Sequence, residues 1–227
     1  RRFLANVDRD RYEKLLQRDR RRPVHAVVAA EPALDVVPAH AAAASETADR
    51  PWNVRGRVQK FGDNVDTDAI IPGEFCHLTK LDELGDKCFH FVKPGFAQSA
   101  RAGATIVVAG QGWGSGSSRE QAVWALQGAG IELVIARSYA FIHKRNLVNE
   151  ALPFLVVTDD QFYKAVEDGT ELSVDINTGE IVLPAGGKRF RAEAPTAIVK
   201  SLLRERGLVP AIKRHGAQVF ELLAAGV

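Results

Sequence analysis

Four glycines, three serines and an arginine lie within ten residues: Gly110-Gln-Gly112-Trp-Gly114-Ser-Gly116-Ser117-Ser118-Arg119. Glycines let a backbone take positive φ or approach a ligand closely. Hydroxyls and a guanidinium at the start of a helix attract a carboxylate or phosphate, which the arginine can grip at two points. A serine capping the helix accounts for one hydroxyl, but not for the glycines and the arginine together. A second stretch, Gly62-Asp63-Asn-Val-Asp66-Thr67-Asp68-Ala-Ile-Ile-Pro72, alternates carboxylates. It lacks the glycine and closing glutamate of a twelve-residue calcium loop, so an aspartate that orients a reacting group fits better.

Elements must carry these stretches. Thr105 to Ala109 is short, β-branched and ends on glycine, which predicts a buried strand, and Gln121 to Gln127 predicts the helix after the turn. Ile131 to Ala136 predicts another buried strand. Ser138 to Glu150 predicts a helix with Tyr139, Ile142 and Leu147 inward, and Pro153 to Val157 a further strand. Two strand–helix units in succession imply a parallel sheet, whose ligands sit at the carboxyl ends of the strands, where Gly110 to Arg119 falls. Asn53 to Phe61 reads as the first strand and Lys80 to Leu84 as a short helix. Asp159 to Glu167 reads as helical, Leu172–Ile176 and Ile181–Leu183 as a hairpin through Asn177-Thr-Gly179, and Lys188–Ala192 as a last strand. Thr196–Arg206 reads as a helix with Ile198, Val199, Leu202 and Leu203 apolar, stopped by Gly207, and Pro210–Ala225 as a single terminal helix.

The first 51 residues differ in kind. Arg1 to Arg22 is densely charged with apolar residues at helical intervals, and Pro23 to Pro51 is rich in alanine, proline and valine. These predict a charged amphipathic helix and a linker whose roughly thirty residues reach about 100 Å when extended. The folded domain is expected from residue 52 to 227. The absence of methionine suggests processing, trimming or the tail of a longer polypeptide.

With 46% hydrophobic and 26% charged residues in 227, the chain has the make-up of a globular domain. A net charge of +2 gives no polyanion footprint, so no nucleic-acid partner is expected. No apolar run is long enough for a membrane span and no secretory signal is evident, so no membrane partner is expected and the cytoplasm, or an organelle matrix, is the expected compartment. Cys76 and Cys88 are the two cysteines; their spacing supports neither a disulfide framework nor a zinc or iron–sulfur site of this chain's own. His77 and His90 stand alone, and no metal ligand is assigned. A P-loop is absent, and G-x-G-x-G is a poor match to a dinucleotide fingerprint.

The motifs themselves carry a resemblance. Phe61-Gly-Asp-Asn-Val-Asp-Thr-Asp-Ala-Ile-Ile-Pro72 resembles the D-T-D-x-I-I-P signature of the small, swivelling part of isopropylmalate dehydratase and its relatives in the aconitase superfamily. Gly114-Ser-Gly-Ser-Ser-Arg-Glu120 is similar to that family's G-x-G-S-S-R-E, and Ile135 to Pro153 follows its third block, ending on its asparagine and L-P. The resemblance implies an α/β fold, the swivelling β/β/α domain, here with parallel strand–helix units and a β-rich second layer. It implies dehydration and rehydration of a hydroxy-di- or tricarboxylate, most simply 3-isopropylmalate to 2-isopropylmalate. Ser117 falls on the family's catalytic base and Asp68 on its site-facing aspartate. Ser118 and Arg119, with Gly116 in the same turn, fall on the substrate-carboxylate clamp; Asp66 and Thr67 hold the loop. His143 and Asn146 fall to support rather than chemistry.

A [4Fe–4S] cluster is implied as well, supplied by a large cluster-bearing subunit or by a preceding domain of the same polypeptide. Where isopropylmalate and homoaconitate enzymes usually carry a Tyr-Leu pair after I-I-P, this chain has Phe75-Cys76, so His77, Leu78 or Lys80 are expected to meet the variable part of the substrate. That departure keeps an aconitase or homoaconitase-type domain open. A module that merely binds an anion or nucleotide is the reading from another class.

Overall fold

The computed structural model describes residues 52–225; the helix and linker expected over residues 1–51 lie outside them. Seven strands form one mixed sheet in the order β4-β3-β2-β1-β5-β6-β7. They are β1 (Asn53–Lys60), β2 (Ile106–Ala109), β3 (Leu133–Ala136), β4 (Phe154–Val156), β5 (Glu171–Asp175), β6 (Glu180–Leu183) and β7 (Lys188–Arg191). The central strand, β1, pairs in parallel with β2 on one edge and antiparallel with β5 on the other. The β-rich second half therefore continues the same sheet past β1.

The burial patterns follow the pairing. β2 and β3 are buried at every residue, as parallel strands covered on both faces must be. Alternation then sorts their side chains: Val107, Ala109, Val134 and Ala136 enter the core on one face, Ile106, Val108, Leu133 and Ile135 that on the other. The hairpin strands β5 and β6 alternate instead, with Leu172, Val174, Ile181 and Leu183 inward.

Nine helices are described: α1 (Thr67–Ile70), α2 (Leu81–Asp86), α3 (Phe96–Arg101), α4 (Glu120–Ala129), α5 (Phe141–Asn149), α6 (Asp160–Ala165), α7 (Ala197–Arg204), α8 (Leu208–His215) and α9 (Val219–Ala225). The single terminal helix expected over Pro210–Ala225 is broken into α8, a 3-10 turn over Gly216–Gln218, and α9. The break lies at Gly216, whose φ of +57° leaves the right-handed helical region. The helix expected from Ser138 starts three residues later, because Ser138, Tyr139 and Ala140 pair with the glycine turn first. Ile142, expected inward, is 48% exposed; α5 buries His143, Asn146 and Leu147. Polar residues took the inward face there, which an apolar-periodicity argument cannot anticipate.

Two helices touch backbone to backbone. A Cβ on Gly128 of α4 would collide with the Leu81 carbonyl of α2, and one on Gly85 of α2 with the backbone of Gly128. This seam matters for the site, because α2 follows the loop after Pro72 and α4 follows Ser117-Ser118-Arg119. In an open helix Gly→Ala gains up to about 1 kcal/mol in propensity. At Gly128 the collision is with backbone, which cannot rotate away, so Gly128→Ala is expected to destabilise the domain by about 2–3 kcal/mol in denaturant unfolding. A gain in stability would show that the helices are free to separate.

Candidate active site

β1, β2 and β3 end at the same edge of the sheet, and the three motifs are the segments that leave it. Hydrogen bonds carry the ladder onward beyond the strands. Phe61 N–H donates to the Val108 carbonyl, Gly110 N–H to Gly62, Asn64 N–H to Gln111, Gly114 N–H to Val65 at 2.7 Å and Thr67 N–H to Ser115 at 2.8 Å. On the far side Trp113 N–H donates to Ser138 and Ala140 N–H to Trp113, and the Ser138 hydroxyl accepts from Gly112 N–H at 2.9 Å. The glycine turn is a short strand held between the acidic loop and the start of the third block.

The glycines are explained by what occupies the place of a side chain. At Gly110 a Cβ would collide with the Asp63 carboxylate, which accepts from Gln111 N–H at 2.8 Å. At Gly114, φ is +75° and a Cβ would collide with the ring of His143. Conformation and space both require glycine there. Gly116 has φ +96° and is exposed at the tip, with Thr67 Oγ1 beneath it.

The three aspartates serve three directions. Asp63 holds Gln111; Asp66 caps α1 by accepting from Ala69 N–H at 2.7 Å; Asp68 faces Arg119. A shared calcium site would need them convergent. Among the described residues no group of three or more His, Cys, Asp or Glu comes together around a possible metal. Asp66 and Thr67 hold the loop, as the motif implied.

Asp68 and Arg119 form an ion pair, Nη1 to Oδ1, at 2.6 Å. The guanidinium side chain is 22% exposed, that of the carboxylate 59%. Nη1 also reaches the Ile71 carbonyl at 3.4 Å, and both partners pass beside Gly73. The bond to Asp68 lifts the arginine above its already high pKa, so it is always a cation. Asp68 uses one of five N–H donors, leaving an edge that can accept an incoming carboxylate at two points.

Ser117 and Ser118 are exposed at the lip of this turn. Neither caps the following helix: the N-cap of α4 is Arg119, without a side-chain bond. Among the described residues no hydrogen bond engages either hydroxyl. His77 and Lys80 are committed elsewhere. His77 Nδ1 lies 2.7 Å from the Glu74 carbonyl, and Lys80 pairs with Glu83 at 2.9 Å, a bond that raises its pKa. Phe75 is stacked on Phe91 and edge-on to His90. Asp63, Ser138 and Trp113 also shape the site, although the motifs do not single them out. The signal in the sequence was their position just past a strand end.

Comparison with known proteins bears on this arrangement. Residues 53–159 match the family model described as the aconitase C-terminal domain. The methanogen homoaconitase small subunit of Methanothermobacter thermautotrophicus is 42% identical over 156 residues, 69% of this chain and 88% of that one. The chain belongs to the aconitase C-terminal-domain family. Within it, the crystal structure of 3-isopropylmalate dehydratase (leuD) from Methanocaldococcus jannaschii superposes with a TM-score of 0.66 at 35% identity, covering 76% of this chain and 98% of that one. The chain is also 41% identical over 189 residues to Aconitase AMT8 of Alternaria alternata, 82% of this chain but 22% of the longer protein. It thus spans about a fifth of that relative and nearly all of the small subunits.

A [4Fe–4S] cluster does not fit the residues of this domain. Cys88 is buried and its thiol is pushed well up by burial, the reverse of what a thiolate ligand needs. That leaves Cys76 alone, half-buried in the loop after Pro72. Any cluster ligands come from outside the described residues.

Proposed function

We propose that this domain is the swivelling half of a hydro-lyase that isomerises a hydroxy-di- or tricarboxylate, with 3-isopropylmalate to 2-isopropylmalate as the leading reaction. One observation carries the reading: Arg119 and Ser117-Ser118 sit on a turn stitched strand-like to the loop that presents Asp68, with the Asp68–Arg119 bond across the two. A simple phosphate cradle needs no aspartate against its arginine.

In this reading Arg119 pairs with a substrate carboxylate through its remaining edge and Ser118 donates to the same group. Ser117 takes the proton from the carbon beside the one bearing the hydroxyl and returns it when water re-adds at the neighbouring carbon. A serine hydroxyl is a weak base, so its alkoxide must be stabilised by the Arg119 cation and the N–H groups of the turn and the α4 start. Asp68 keeps the guanidinium in place while the acid enters. Departure of the hydroxyl belongs to the cluster-bearing part, a separate subunit or a preceding part of the polypeptide. The reading requires neither nucleic acid nor a membrane; among the described residues no helix is long and apolar enough to cross one. Two free thiols and a cluster-dependent reaction suit a reducing compartment, the cytoplasm or an organelle matrix.

A tricarboxylate is the second reading, favoured by the departure Phe75-Cys76 after Pro72; Lys80 would serve it only on leaving its exposed pairing with Glu83. Comparing kcat/KM for isopropylmaleate, cis-aconitate and homoaconitate in the assembled enzyme decides between them. Preference for isopropylmaleate supports the leading reaction, and turnover of none of the three rejects both. In the same assay Arg119→Lys, which keeps charge but loses the planar fork, is expected to raise KM for the preferred acid about tenfold to a hundredfold.

A further inference from the structure

His143 is 98% inaccessible yet neither ring nitrogen has a hydrogen-bond partner among the described residues. Buried polar atoms are nearly always satisfied, so an imidazole left without a bond requires an explanation. Its surroundings supply one. The ring fills the space over Gly114 that a side chain would take. It reaches that place from α5, whose entry is fixed to the same turn through the Trp113–Tyr139 bridge. Gly114 and Ser115 are held from the other side by Val65 and Thr67. The turn that ends in Ser117 is thus clamped between the acidic loop and an imidazole.

Two residues of this neighbourhood also bury polar atoms without partners among the described residues, Thr67 Oγ1, which lies under Gly116, and Trp113 Nε1, as does Asn146 Nδ2 about one helical turn beyond His143 on α5. Burial without compensation costs stability. A merely structural filler at position 143 would be apolar, as its neighbour in the core, Leu147, is.

We propose that His143 is a positioning residue of the site: its imidazole, seated against Gly114, sets the place of the Gly114–Ser117 turn and hence of the Ser117 hydroxyl. This rests on Ser117 being the base. Arg119 is anchored independently, by Asp68 and the Ile71 carbonyl, so the two functions of the turn separate. Displacing the imidazole moves the base more than the carboxylate clamp.

The test uses the full chain assembled with its cluster-bearing part, with His143→Leu, which keeps bulk and removes polarity, and His143→Gln, which keeps polarity. His143→Leu is expected to lower kcat about 10- to 100-fold with KM within about threefold, and His143→Gln to recover part of the loss. The double variant Ser117→Ala/His143→Leu is expected to be no slower than Ser117→Ala alone. Amide hydrogen exchange at Gly114 and Thr67 is expected to quicken in His143→Leu while β3 stays protected. Unchanged kcat in His143→Leu, with Ser117→Ala inactive, overturns the positioning role alone; an active Ser117→Ala overturns the base assignment instead. If neither His143 variant folds, the residue serves the fold as such and the proposal fails.

Discussion

Ser117→Ala in the assembled enzyme is expected to lower kcat about 10³- to 10⁴-fold while leaving KM for the acid within a few-fold. The size follows from removing the group that moves the proton, and the unchanged KM from the clamp, which lies on Ser118 and on Arg119, itself fixed by Asp68 at 2.6 Å. Stability offers a sharp control. Ser117 is exposed and its hydroxyl neither caps α4 nor bonds any described residue, so its loss should change unfolding free energy by less than about 0.5 kcal/mol. A variant with normal melting and no turnover separates chemistry from folding. Normal turnover removes Ser117 from the mechanism.

The second large effect is on stability in acid. Burial lowers the pKa of His143 from 6.5 to about 4. In the unfolded chain the imidazole binds its proton near pH 6.5; in the fold it does not until about pH 4. Between those values the unfolded state holds more protons, so stability falls as pH falls and the loss levels off below about pH 4. At 1.36 kcal/mol per pKa unit the full loss is about 3 kcal/mol, a large part of a domain's stability. Denaturant unfolding of wild type and His143→Leu from pH 7 to pH 4 checks it: the stability of wild type relative to the variant should fall by about that amount. Parallel curves would mean that His143 takes up its proton in the fold at the same pH as in the unfolded chain.

Much of this was legible in the sequence because short-range rules governed it. The buried runs at Ile106–Ala109 and Leu133–Ala136 and the hairpin at Asn177–Gly179 emerge where composition places them. The site motifs were legible as motifs. What they do to one another was not, because Asp68 and Arg119 are 51 residues apart and meet only when β1 and β2 pair. In sequence the glycines suggest freedom to approach a ligand; Gly110 and Gly114 instead admit Asp63 and His143, partners no local rule names. The helix Phe96–Arg101 went unread because it starts after Gly95 at φ +84° without a capping side chain. Apolar periodicity places Ile142 inward, whereas α5 seats His143 against Gly114 and leaves Ile142 exposed.

In the proposed mechanism this domain contributes the base and the carboxylate clamp to a site completed elsewhere. The most direct measurement is anaerobic hydration of isopropylmaleate and cis-aconitate by the full chain with the cluster-loaded part, and by each alone. Turnover of at least one acid is expected from the combination and none from either component. Turnover by the cluster-bearing part alone, or none by an assembled complex with its cluster intact, would contradict it.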